Sequence, residues 1–175
     1  RERAKEVDAL DDDVRALIAD LYDMMREADG AGLAANQIGV ARRVAVVAVD
    51  GQDYTLVNPV LIEHEGRSKQ EEGCLSIPEI YADVTRPARV VVEAADENGV
   101  VRRIEGTGLL GRALLHEIDH LDGILFFDRV GPLKLDDFLD SPDAPLGALF
   151  GGGAAELATV RVRLRGMETA AQQRL

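Results

Sequence analysis

Val14, Leu17, Ile18, Leu21, Met24, Met25 and Ala28 recur at helical spacing through residues 11–28, with polar positions between them. The pattern predicts an amphipathic helix whose apolar face meets a core. Asp11, Asp12 or Asp13 can cap its start, and Gly30 is expected to end it. Residues 43–49 (RVAVVAV) predict a strand, closed by the turn signal Asp50-Gly51. Tyr54 to Val57 predicts a second strand, stopped by Asn58-Pro59 and resumed at Val60 to Ile62. Residues 64–73 are polar and predict a loop. Strands over 89–94 and 100–104 flank Asn98-Gly99, a strong hairpin signal. A second helix is predicted from Leu109 to near Gly123, with Leu110, Leu114, Ile118 and Leu121 in one apolar stripe. His116 and His120 lie far around that helix, beside Leu109 and Ala113, so it is expected to pack on more than one side. Residues 131–153 are rich in Gly, Pro and Asp and predict a long loop or insertion. In the tail, 154–175, Val160, Val162 and Leu164 alternate with arginines as a strand would. Strands precede the second helix without regular alternation, so an α+β fold is favoured over a parallel sheet.

Composition narrows this picture. The 175 residues suit one domain, and 46% hydrophobic with 30% charged residues provides both a core and a solvated surface. No apolar run reaches the ~18 residues of a membrane span. The chain starts RERAKEVDALDDD, with no secretory signal and no methionine, so its natural N-terminus is expected upstream. A net charge of −12 argues against nonspecific nucleic-acid binding. The single cysteine, Cys74, excludes an intrachain disulfide and fits a reducing, cytoplasmic setting. A lone cysteine is ordinarily a small buried hydrophobe, so any further role must come from its neighbours.

The strongest local signal is His116-Glu117-Ile118-Asp119-His120. Helix positions four apart differ by ~40° around the axis, so both imidazoles project to one side and can take one ion. Glu117 can then reach a water on that ion, which is the HExxH arrangement. The bland alternative is two helix histidines that merely pack. His64, between Glu63 and Glu65, reads as a plain surface histidine. A catalytic zinc-like site wants three protein ligands and a water. The third can come from downstream acids (Asp122, Asp128, Asp136 or Asp137) or from Cys74 upstream, whose thiolate suits a borderline ion. Gly73 before it lets the backbone approach closely.

Three motifs together, Gly30 to Gln37 (GAGLAANQ), Glu72 to Ser76 (EGCLS) and His116 to His120 (HEIDH), resemble those of bacterial-type peptide deformylases in order and rough spacing. Weaker similarity runs from Leu10 to Lys134. The resemblance implies antiparallel β-sheets packed around a central HExxH helix, with an N-terminal amphipathic helix. It implies Cys74, His116 and His120 as metal ligands and Glu117 as general base and then acid. It implies an oxyanion held by the Gln37 side chain and the Leu75 backbone N–H, with Gly32 leaving room for a peptide backbone. The implied reaction removes the formyl group from the N-terminal formyl-methionine of new polypeptides, releasing formate. The implied cofactor is one divalent ion, Fe(II) in the cell, replaceable by Zn(II), Ni(II) or Co(II).

The chemistry agrees with that assignment. A formamide is a poor electrophile, and a bound ion both acidifies water and polarises the carbonyl. A donor such as Gln37 at the developing oxyanion is worth ~3 kcal/mol in comparable sites. Ala31, Leu109 and Ala113 are candidates for the apolar pocket that takes the methionine side chain, though Ala31 and Ala113 equally suit close packing. Tyr81 and Arg86 are candidate peptide contacts, with a structural ion pair the rival role for Arg86. The sequence departs from the family at Leu115 (usually glutamine), Asn36 (commonly proline), Ala31 (usually Ile or Val) and after Gly131, where a linker and helix are common. Arg161, Arg163 and Arg165 raise a transient ribosome contact, weighed against a plain charged face. The rival functions are an HExxH zinc endopeptidase with a downstream acid as third ligand, and a non-enzymatic metal-binding module.

Overall fold

A computed structural model of the chain describes residues 2–130. These divide into two compact units, one of residues 2–68 with 86–125 and one of 69–85 with 126–130. The expected loop at 131–153 and the tail strand lie outside the described residues.

The first unit is α+β. Its five-stranded antiparallel sheet runs β1 (Gly32–Ala34), β2 (Val44–Val49), β3 (Gln52–Glu65), β6 (Arg89–Ala95) and β7 (Val101–Thr107) in that spatial order. Helix α1 (Asp12–Glu27) and helix α2 (Gly108–Leu121) pack on it. The run VAVVAV in β2 has five of its six residues buried because the strand is covered on both faces. Val44 and Val46 join α1's Val14, Leu17, Ile18, Leu21 and Met25. Ala45, Val47 and Val49 join α2's Leu114, Leu115, Ile118 and Leu121. Period-two alternation therefore sorts one strand's side chains between two helices.

Local chemistry sets the element ends. Asp11 caps α1, its carboxylate accepting from Val14 N at 2.8 Å. The left-handed residue after α1 is Asp29 (φ 53°), not Gly30, whose N–H bonds Met25 O at 2.9 Å. Asp50 (φ 53°) and Gly51 (φ 75°) turn β2 into β3 with two consecutive positive φ angles, as tight hairpins demand. In the β6–β7 turn the Asp96 carboxylate accepts from the N–H groups of Asn98 and Val100, each at 2.9 Å. Strand β7 and helix α2 meet at two glycines: a Cβ on Gly106 would lie 2.8 Å from Gly111 Cα.

Two further expectations change. Strand β3 does not stop at Asn58-Pro59 but passes through it, with Asn58 at φ 51° and a register shift against β6 between Val57 and Val60. A bulge absorbs the proline that a regular ladder would reject. The polar stretch 64–73 is not a loop: β3 reaches Glu65, and β4 (Ser68–Cys74) follows. In the second unit β4 pairs with β5 (Ile77–Arg86), a strand the sequence pattern did not mark. Its small core joins Ala82, Val84 and Phe126, with Cys74, Ile77, Ile80 and Phe127 against it.

Candidate active site

In the first unit, α2 carries His116, Glu117 and His120 in its last two turns. The two imidazoles approach with Nε2 atoms 3.1 Å apart and ring planes at 77°. Two nitrogens bound to one tetrahedral ion at ~2.0–2.1 Å would lie ~3.3 Å apart, so the pair is already near ligand spacing. His120 is buried, and burial, reinforced by the neighbouring His116, pushes its pKa down to about 4. At neutral pH it is the neutral imidazole that binds metals. Asp119, one residue earlier, is equally buried and accepts from Arg86 Nη1 at 2.7 Å. Both side chains are over nine-tenths buried, so this pair ties α2 to Arg86, within the first unit, inside low-dielectric surroundings.

Glu117 is 3% exposed and faces the start of β1. A Cβ on Gly32 would lie 2.9 Å from both Glu117 Cγ and Cδ and closer still to Oε1. Any side chain there would force Glu117 to shift, which ties the glycine of the first motif to the carboxylate of the third. After β1 comes a short 3-10 turn (Ala35–Ile38) that presents Gln37. Gln37 Oε1 accepts from Ala34 N at 2.8 Å. With its carbonyl end held by backbone, the amide's donor end points the other way. Ala31 is half-buried against the α2 cluster, Ala113 is buried within it, and Leu109 is 57% exposed. Leu115, just before His116, is also buried in this core.

In the second unit Cys74 ends β4, half-buried and in no disulfide. Its neighbour Gly73 lies against Tyr81, where a Cβ would come 2.7 Å from the ring. Leu75 is 39% exposed. Cys74, His116 and His120 make up a donor group that could hold one metal ion. A thiolate with two imidazoles suits a borderline divalent ion. His64 is exposed on β3 and belongs to no such group among the described residues. The role of Asp119 escaped sequence reasoning. An acid three residues after His116, on a helix this apolar, was the available signal.

An α+β fold with a Cys/His/His donor group defines a metal-dependent hydrolase class. The family model for polypeptide deformylase matches residues 1–136. A peptide deformylase of Heliobacterium modesticaldum is 52% identical over 130 residues, covering 74% of this chain and 86% of that protein. One from Acetivibrio thermocellus is 49% identical, covering 74% and 76%. Among solved structures, a Legionella pneumophila peptide deformylase aligns with a TM-score of 0.73 at 41% identity, covering 82% of this chain and 92% of that one. The chain belongs to the polypeptide deformylase family. It is an enzyme that removes the N-formyl group from nascent peptides, and the endopeptidase alternative is not favoured.

Proposed function

We propose that Glu117 moves the protons of this hydrolysis while Cys74, His116 and His120 hold the ion, on α2 as the central HExxH helix of the fold. The observation that carries this reading is the paired Nε2 atoms of His116 and His120, 3.1 Å apart, with a buried Glu117 between them in sequence. When bound, a divalent ion supplies Lewis acidity, making water nucleophilic near neutral pH and polarising the formyl carbonyl. Glu117 takes a proton from the attacking water and passes it to the departing methionine nitrogen. Gln37 donates its side-chain N–H to the oxygen where charge gathers, with the Leu75 backbone N–H as second donor. The hold of Ala34 N on Gln37 Oε1 supports that role, because it presets which end of the amide is presented.

For the substrate, Ala31, Leu109 and Ala113 line the methionine pocket, and exposed Leu109 gives it an apolar rim. Gly32 and Tyr81 border the peptide backbone. Arg86 acts through Asp119 rather than by touching the peptide. The metal in the cell is Fe(II) by family resemblance; raw affinity favours copper and zinc, so supply decides. No helix among the described residues is long and apolar enough to cross a membrane. The enzyme is read as cytoplasmic, one catalytic domain over residues 1–175. The arginines at 161, 163 and 165 lie outside the described residues and are read as a transient ribosome contact. Unchanged co-sedimentation with ribosomes after deletion of residues 161–175 would remove that reading.

The deciding experiment is formate release from formyl-Met-Ala-Ser by protein purified without oxygen, with Glu117→Ala beside it. Formate from the wild type and almost none from the variant is the expected result. No formate from protein with a full complement of iron would refute the reading.

A further inference from the structure

The turn that presents Gln37 and the helix that carries His120 are joined by one side chain. Asn36 Nδ2 donates to the His120 carbonyl, with Glu2 O a longer second acceptor at 3.4 Å. The last carbonyls of a helix have no partners within it and must find donors elsewhere. Here Gly123 N bonds His120 O at 2.9 Å, and Ala4 N bonds Leu121 O at 2.8 Å. Among these donors Asn36 alone is a side chain, and it sits next to Gln37. Its Oδ1 is buried with no protein partner among the described residues. The His120 carbonyl and the His120 imidazole share one residue, so whatever fixes the last turn of α2 also aims the ring. Ligating groups perform only when held to ~0.5 Å, which makes that turn a sensitive place for a tether.

We propose that Asn36 is a positioning residue: its amide holds the His120 carbonyl, setting the aim of the His120 ring and coupling it to the turn that presents Gln37. The proposal rests on the reading of His120 as a metal ligand. Partners of this kind, which do not touch the ion, commonly change metal affinity 10–100-fold when removed.

The test uses the full chain with cobalt(II) as the probe ion. Asn36→Ala removes the donor together with the unpartnered oxygen. Asn36→Asp keeps the shape but replaces the donor with an acceptor. Both are expected to bind cobalt ~10–100-fold more weakly in chelator competition. Both should also show a shifted visible spectrum and lowered kcat, with KM for formyl-Met-Ala-Ser nearly unchanged. Wild-type cobalt affinity and spectrum in Asn36→Ala would overturn the proposal, since a merely structural amide leaves them alone. His120→Ala is measured alongside: undiminished cobalt binding there would overturn the ligand reading itself, and the two failures are distinguishable. If either Asn36 variant does not fold, hydrogen exchange of the Asn36 side-chain amide in the wild type decides. Protection supports the tether, and exchange at the rate of a free amide overturns it.

Discussion

Helices α1 and α2 join the two hydrophobic clusters between which β2 divides its side chains, yet they bury different things. α1 buries five of its sixteen residues, all apolar. α2 buries ten of fourteen, including Arg112, Glu117, Asp119 and His120. A helix with one apolar stripe needs only a sheet to lie on. A helix that buries charge needs a partner for each polar group, because an unpartnered one costs more than the contact returns. For two of them the partner is plain: Arg86 for Asp119, and the Ser68 carbonyl for Arg112 at 3.1 Å. The first helix buries only apolar side chains, while the second buries charged ones as well.

The contrast predicts opposite kinds of damage. Glu117→Ala should lower formate release by ~10²–10⁴-fold, the usual worth of a general acid–base, with little change in unfolding midpoint. Asp119→Ala removes the carboxylate that faces the buried Arg86 guanidinium and should cost ~3–5 kcal/mol in urea denaturation. An Arg86→Met, Asp119→Leu double variant should recover much of that; if it does not, the pair is more than mutual neutralisation. On α1, Leu21→Ala empties a fully buried site and should cost ~2–5 kcal/mol, with kcat per folded molecule unchanged. A large kcat loss there would mean that the two helices are not separable in this way.

The smallest effect lies outside both helices. The N–H of Val100 and then the guanidinium of Arg102, with the N–H of Asn98, hold the Asp96 carboxyl below the usual carboxylate range. A depressed folded pKa stabilises the fold above the unfolded value, and that contribution disappears as pH falls through the folded value. The Tm gap between wild type and Asp96→Asn should therefore be present at pH 7 and close in acid. A gap independent of pH would show that the carboxylate charge is not what the turn uses.

The helical part of the candidate site was legible because its spacing is local. His116 and His120 come together through helical periodicity, and Glu117 lies between them in sequence. Gly32 was legible as a glycine that makes room, whereas its closeness to Glu117, 85 positions away, was not. Strands β4 and β5 were not legible, since Ser68 to Glu71 is polar and a paired strand need not alternate when its side chains meet water. Asn36 read as a mild replacement for proline. Its bond to the His120 carbonyl joins residues 84 apart and leaves no local trace.

By itself the sequence determined the elements whose signals repeat over a few residues: α1 and its aspartate cap, the Asp50-Gly51 and Asn98-Gly99 turns, and the helix bearing two histidines. It also determined the family, because three short motifs coincide in one chain. Only the tertiary structure decided which buried charge meets which partner, and which glycine faces which side chain. It alone decided that β3 runs on through Asn58-Pro59. Periodicity and capping act over one or two helical turns, whereas these outcomes depend on contacts between segments far apart along the chain.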